Sequence, residues 1–189
     1  MLALRIFLFA GLVAHKVLWE VMKASIGQSK KSSRPQAQSI HALKAAKVLA
    51  LAFLAVQTLF LSILPVTKKS GGIRIVGVAL YIIGLIVAIF GRLQLGSNWA
   101  NIEDRQLLPG QSLITHGIYR HVRHPIYLGD LLLFTGVQLA LNSWLFVSGI
   151  ILALVTFRQA AAEEEILAEA FPEYETYRQR TKRLVPFVV

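Results

Sequence analysis

The stretch Ile126–Phe157, IYLGDLLLFTGVQLALNSWLFVSGIILALVTF, decides the fold. Its 32 residues carry a single charge, Asp130. As one helix it would measure about 48 Å, well beyond the ~30 Å hydrocarbon core of a bilayer. Asn142-Ser143 interrupts it near the middle, and Trp144 beside them suits a membrane–water interface. The reading is a helical hairpin of two antiparallel passes, each of roughly 16 residues and about 24 Å. Passes that short set their open ends at or slightly inside the membrane surface.

Working outward, three more apolar blocks precede the hairpin: Leu2–Met22, Val48–Leu64 ending at Pro65, and Ile75–Leu95. The first is weakened by Arg5, His15, Lys16 and Glu20. No small-residue cleavage site follows it, so it reads as a retained helix rather than a signal peptide. After the hairpin, Ile166, Leu167, Ala170 and Phe171 alternate with Glu169 and Glu173 at helical spacing, which predicts an interfacial helix. Tyr174 and Tyr177 share one face and suit headgroup anchors. The expectation is an all-α integral membrane protein of about five transmembrane helices, with a short helical hairpin and a C-terminal interfacial helix. It forms one domain over 1–189: three helices in 1–95, then 96–189 built around the hairpin 126–157. Gly27–Gln38, rich in Ser, Lys and Gln with one Pro, reads as a flexible linker.

Composition agrees with that setting. The chain is 55% hydrophobic and only 16% charged, against roughly 25% for soluble domains. With no cysteine, disulfides, thiolate nucleophiles and iron–sulfur clusters are excluded. The formal charge of +10 would suggest nucleic acid in a soluble protein. Here the basic residues sit between apolar blocks, so membrane lipids and topology explain them and no nucleic-acid partner is expected. With the N-terminus outside, the inner segments Lys23–Lys47, Arg92–Arg123 and Arg158–Arg183 hold six, four and five basic residues. The outer Pro65–Arg74 loop holds three. The positive-inside rule therefore faces the polar ends of the hairpin to the cytoplasm.

Those ends carry the chemistry. Before the hairpin stands Gly117-Ile118-Tyr119-Arg120-His121-Val122-Arg123-His124-Pro125-Ile126-Tyr127-Leu128-Gly129. Pro125 fits the first turn of a helix, which places His124 at the capping position and free N–H groups at the interface. Lipid anchoring explains arginines there but has no need of His124, Tyr127 or Gly129. After the hairpin come Arg158 and then Glu163-Glu164-Glu165. Successive helical residues point about 100° apart, so these glutamates cannot share a face and one or two turn inward. Asp130, an acid at membrane depth, is a functional candidate. His116, His121 and His124 cross a turn with no converging ligands, so no metal is expected. There is no dinucleotide fingerprint, phosphate loop or nucleophile elbow.

These residues resemble the isoprenylcysteine carboxyl methyltransferase family of membrane enzymes. The similarity runs from about Leu95 to the C-terminus. It rests on Leu95-Gly96-Ser97-Asn98-Trp99, Leu113-Ile114, Gly117-Ile118-Tyr119-Arg120, Arg123-His124-Pro125-Ile126-Tyr127-Leu128-Gly129, and Glu163-Glu164 with Phe171, Tyr174, Tyr177 and Pro186. The resemblance implies S-adenosylmethionine, bound between the hairpin and the C-terminal segment. Leu113, Gly117, Tyr119, His124, Tyr127, Glu163 and Glu164 would line that cofactor site. Arg158, Glu163 and Arg183 would be the catalytic residues, lying toward the methyl acceptor, a lipophilic or lipidated substrate entering sideways between helices. The chemistry is consistent: a carboxylate acceptor is ionised at neutral pH and needs no general base. Phospholipid N-methyltransferases and NADPH-dependent sterol reductases share related C-terminal patterns, and Arg123-His124-Pro125-Ile126-Tyr127-Leu128-Gly129-Asp130 is similar to the latter. Three alternatives therefore stand beside the carboxyl methyltransferase: a phospholipid amine methyltransferase, a sterol-type reductase and a non-enzymatic membrane scaffold.

Overall fold

Glycine and asparagine, more than the apolar blocks themselves, shape the architecture. The computed structural model describes residues 1–26, 38–98 and 110–185. The linker at residues 27–37, Trp99 and Pro186 lie outside them. Among the described residues there are six α-helices and no strand: α1 (Leu2–Ile26), α2 (Gln38–Phe60), α3 (Gly71–Leu95), α4 (Pro125–Ala140), α5 (Ser148–Ala170) and α6 (Tyr174–Arg180). The protein has an all-α membrane fold. By length and composition, Leu2–Ala24, Gly71–Leu95 and Trp144–Ala170 can each cross a bilayer, and Val48–Phe60 and Pro125–Ala140 are shorter apolar helices.

The hairpin turns where the sequence breaks. Asn142 adopts a left-handed conformation (φ 58°), which asparagine tolerates better than most residues. Its side chain is satisfied by the α2–α3 loop: Nδ2 donates to the Thr67 carbonyl at 2.8 Å and Oδ1 accepts from Thr67 N at 3.3 Å. Trp144 N donates to the Leu64 carbonyl at 2.8 Å, so the two loops are laced together. The first arm, α4, is 16 residues, as expected. The second arm is longer than expected: α5 runs 23 residues to Ala170 and carries Glu163–Glu165 inside it. Gln159 to Ala170 holds no Gly or Pro, so nothing stops the helix before Phe171-Pro172. The surface helix is accordingly α6, shorter and later than the sequence predicted. Tyr174 and Tyr177 are buried in it rather than exposed as anchors.

α3 and α4 lie antiparallel at a separation set by glycine. Gly77, Gly84 and Gly91 recur every seventh residue on α3, as do Gly129 and Gly136 on α4. A Cβ at Gly77 would collide with the Ala140 backbone, one at Gly84 with the Leu133 backbone, and one at Gly136 with the Tyr81 backbone. This is the small-residue seam that membrane helices use to approach closely. Around it Leu8, Tyr81, Leu133, Val137, Ala140 and Leu141 form the core.

Several polar residues within the apolar blocks are paired. Arg5 is buried and caps the end of α2, donating to the carbonyls of Gln57, Thr58 and Leu61 and to Ser62 Oγ at 2.8–3.0 Å. It satisfies carbonyls at the last turn of that helix. Gln57 and Gln138 exchange two amide hydrogen bonds, at 2.8 and 3.0 Å, and tie α2 to α4. Tyr81 donates to the Leu8 carbonyl at 2.7 Å and ties α3 to α1.

Candidate active site

His124 caps α4 and Pro125 opens it, as the sequence requires. Just upstream, a 3-10 turn (Gly117–Arg120) swings the chain back over the end of α3. Gly117 enters it with φ 62°, and a Cβ there would collide with the side chain of Gln94. Gln94 Oε1 accepts from Ile118 N at 2.7 Å, so glycine is required for that approach. Tyr119 then donates to the Gly91 carbonyl at 3.2 Å, and Tyr177 donates to the Tyr119 carbonyl at 2.8 Å. α6 is thereby hung on the end of α3. The C-terminal chain runs beside residues 121–124: Arg123 N donates to the Lys182 carbonyl at 2.9 Å and His124 N to the Arg183 carbonyl at 3.1 Å.

Glu164 joins these segments. It is 4% exposed and faces three basic side chains. Arg123 Nε donates to Oε1 at 2.9 Å, Arg183 Nε to Oε1 at 3.0 Å and Arg183 Nη2 to Oε2 at 2.9 Å. His124 Nε2 stands 3.2 Å from Oε1. The bond to Glu164 raises the Arg183 pKa, and the same guanidinium lies 4.5 Å from the centroid of the Phe157 ring. Arg123 also donates to the carbonyls of Thr181 and Arg178. The neighbouring Glu163 points elsewhere: its Oε2 accepts from the Tyr127 hydroxyl at 3.1 Å and lies 3.6 Å from His124 Nδ1. The His124 and Tyr127 rings stack at 5.4 Å, 9° from parallel.

In front of this cluster is a cavity of about 360 Å³. Leu113, Tyr119, His124, Tyr127 and Glu163 line it, all five expected at the cofactor. Burial pushes the pKa of Tyr119, Tyr174 and Tyr177 up, so these phenols stay protonated hydrogen-bond donors at neutral pH.

The remaining expected residues lie off the cavity wall. Gly117 shapes the turn, while Glu164 and Arg183 hold His124 and the C-terminal segment from behind. Arg158 is exposed on α5 and, among the described residues, makes no hydrogen bond or ion pair. The helical register explains it: Gln159 and Glu163, four residues apart, face the cavity, which turns Arg158 about 100° away. Sequence reading missed the opposite wall, where α1 contributes Lys16, Trp19, Glu20 and Lys23. The fully buried Arg92 lies over Trp19 at 5.4 Å and donates to the Gly96 carbonyl at 2.9 Å. The available signal was the run of polar residues at helical spacing inside the first apolar block.

Residues 73–174, more than half of the chain, match the phospholipid methyltransferase family. The chain belongs to that family. Within it, the chain is similar to isoprenylcysteine methyltransferases. It is 31% identical to a probable protein-S-isoprenylcysteine O-methyltransferase of Oryza sativa subsp. indica, over 75% of this chain and 76% of that one. It is 33% identical to the protein-S-isoprenylcysteine O-methyltransferase of Xenopus laevis, over 58% of this chain and 41% of that one. Its fold is shared by the eukaryotic intramembrane Ras methyltransferase (isoprenylcysteine carboxyl methyltransferase), with a TM-score of 0.63 and 19% identity, covering 98% of this chain and 68% of that structure. This member of the phospholipid methyltransferase family is a membrane methyltransferase. The match begins within α3, upstream of Leu95, so the family likeness reaches further than the polar motifs alone suggested.

Proposed function

We propose that the chain transfers a methyl group from S-adenosylmethionine to the carboxylate of a lipophilic substrate of the S-isoprenylcysteine class. The observation that carries the reading is the Glu163–Tyr127–His124 cluster on the wall of a cavity set among apolar helices. At about 360 Å³ the cavity falls in the range of roughly 300–1,000 Å³ found for small-molecule sites. Its walls fit a cationic, nucleoside-like donor. The Glu163 carboxylate uses one oxygen for Tyr127 and leaves accepting capacity for an ammonium group. Tyr127 lines the cavity, and a phenol ring can offer its face to a positive charge. Leu113 and Ile114 line the cavity, and among the described residues their backbone groups make no hydrogen bond, so they can pair with the edge of a heteroaromatic base. When bound, S-adenosylmethionine supplies an electrophilic sulfonium methyl.

The protein's own task is then to hold and to dry. A carboxylate acceptor is already ionised, so no side chain has to take a proton from it. Alignment of the acceptor oxygen and exclusion of water supply the rate. Lys16, Lys23 and Arg123 are the cations on the wall, and Arg123 is committed to Glu164. Lys16 is paired with Glu20 at 2.6 Å, so we assign recognition of the acceptor carboxylate to Lys23 of α1 rather than to Arg158 or Arg183. A phospholipid amine as acceptor is the second reading, favoured by the family match over 73–174.

The test is calorimetry of the purified protein with S-adenosylhomocysteine and, separately, NADPH. Methyl transfer to N-acetyl-S-farnesylcysteine and to phosphatidylethanolamine is then measured. Binding of S-adenosylhomocysteine and base-labile methylation of the farnesylated acid are expected. Binding of NADPH alone would replace the transferase with a reductase, and methylation confined to phosphatidylethanolamine would select the second reading.

A further inference from the structure

Tyr119, Tyr127, Tyr174 and Tyr177 all line the cavity, and three of them donate their hydroxyl to a protein oxygen. Tyr174 does not. It is 1% exposed, and its hydroxyl is buried with no hydrogen-bond partner among the described residues. A buried hydroxyl in that state is costly until something supplies a partner. Burial keeps this phenol protonated; Glu164 and Glu163 act in the same sense and Arg123 against them, so the hydroxyl is a donor set among the charges of the ion network. Arg123, also on the cavity wall, has an unused donor of its own. Its Nε and Nη1 bond to Glu164, Thr181 and Arg178, while Nη2 makes no hydrogen bond among the described residues.

Charge restricts what can use these two donors. Two arginines on the single Glu164 carboxylate leave one positive charge over, and Arg183 lies off the cavity wall, so the surplus reaches the cavity through Arg123. The negative counterpart on the wall is Glu163. The two centres are close, because one imidazole faces both: His124 turns Nδ1 to Glu163 and Nε2 to Glu164. A phosphate placed there would be repelled by Glu163, and a lone carboxylate would leave Glu163 unanswered. A ligand whose own opposite charges are one carbon apart, an α-amino acid zwitterion, answers both. We propose that the Tyr174 hydroxyl and Arg123 Nη2 form the carboxylate half of a zwitterion subsite, holding the carboxylate at the amino-acid end of the methyl donor while Glu163 takes its ammonium. The proposal rests on the methyltransferase reading above. It also divides the labour of α6: Tyr177 fastens the helix to the turn before α4, and Tyr174, three residues earlier, meets the ligand.

Arg123 also holds Glu164 and the C-terminal segment, so its removal would disturb the fold, and the hydroxyl is the group to test. Tyr174→Phe keeps the ring that packs edge-on against Tyr177 at 5.9 Å. The full-length protein in detergent is titrated with S-adenosylhomocysteine, with its decarboxylated analogue, which keeps the ammonium, and with its deaminated analogue, which keeps the carboxylate. In Tyr174→Phe the affinities for S-adenosylhomocysteine and the deaminated analogue are expected to fall about tenfold or more, the usual scale for a hydrogen bond to a charged group, and that for the decarboxylated analogue to stay unchanged. The unfolding temperature without ligand should hold or rise, because an unpartnered buried polar group has been replaced by an apolar one. An equal loss for all three ligands with a lower unfolding temperature would make the hydroxyl a structural group and overturn the assignment. So would unchanged affinity for all three with a raised KM for N-acetyl-S-farnesylcysteine, which would give the subsite to the acceptor carboxylate. The expected pattern without any carboxyl methylation keeps the subsite and removes only the proposed acceptor. A wild-type protein that binds none of the three nucleosides overturns the subsite and the methyl donor together.

Discussion

Glu163 and Glu164 are adjacent in sequence and opposite in duty. Glu164 is enclosed by Arg123, His124 and Arg183, so its loss strands buried cations. Removing one partner of a buried pair costs about 3–5 kcal/mol. Glu164→Gln is therefore expected to lower the thermal unfolding temperature by several degrees or more in detergent and to weaken S-adenosylhomocysteine binding as His124 loosens. Glu163→Gln leaves the buried ion network in place and should reduce S-adenosylhomocysteine affinity with little change in unfolding temperature. Calorimetry and a melting curve on the two variants separate the roles, and identical behaviour would refute the distinction. Arg158→Lys gives the contrasting case. Exposed and off the cavity wall, this arginine should tolerate lysine with near-normal methylation, and a strong fall in turnover would return it to the acceptor site. His124 and Tyr127 stood out in the sequence because the helix-start rule acts over a few residues, whereas the helix-face rule left open which of Glu163–Glu165 turns inward. The grip of Glu164 was not legible, because its cations come from the α4 cap and the far C-terminal segment. The α1 wall was visible only as polar residues inside an apolar block, with nothing to show what they faced.

At the scale of elements, the hairpin could be read from the length of the 32-residue stretch 126–157 together with its Asn142-Ser143 break, since one helix of that length overruns the bilayer core. Its second arm could not, because Glu163–Glu165 suggested a surface while the absence of Gly and Pro after Gln159 kept the helix intact. The seam between α3 and α4 was present as glycines at every seventh position, a period meaningful only once two helices are known to meet. Gly84→Leu forces a side chain against the Leu133 backbone, and overpacking of this kind costs about 1–3 kcal/mol. A clear drop in unfolding temperature is expected. Gly72→Leu, where a Cβ meets nothing within 4 Å, should leave the temperature unchanged. Equal stability of the two variants would refute the packing account.

For the whole molecule, the arrangement of basic residues gives a proposed orientation, with the hairpin turn outside and the cavity toward the cytoplasm. The chain has no cysteine, so single cysteines report directly on sidedness. Lys69→Cys, in the exposed loop laced to the hairpin turn, should label from the side opposite Glu173→Cys, at the start of α6. The expected pattern is impermeant maleimide reaching Glu173→Cys from the cytoplasmic face only. The reverse pattern would move the supply of methyl donor to the other compartment.

The glycine seam has one more consequence, and it concerns traffic. Where the backbones of two helices touch, an isoprenoid tail cannot pass between them, so α3 and α4 behave as a weld rather than a doorway. α1 is fastened differently, by individual side-chain bonds such as those of Tyr81 and Arg5, and it carries one wall of the cavity. In the proposed reaction, a lipophilic acceptor arriving from the bilayer would have to enter past a helix that is not welded in this way. α1, where Asp130 and His15 face each other, is one such side.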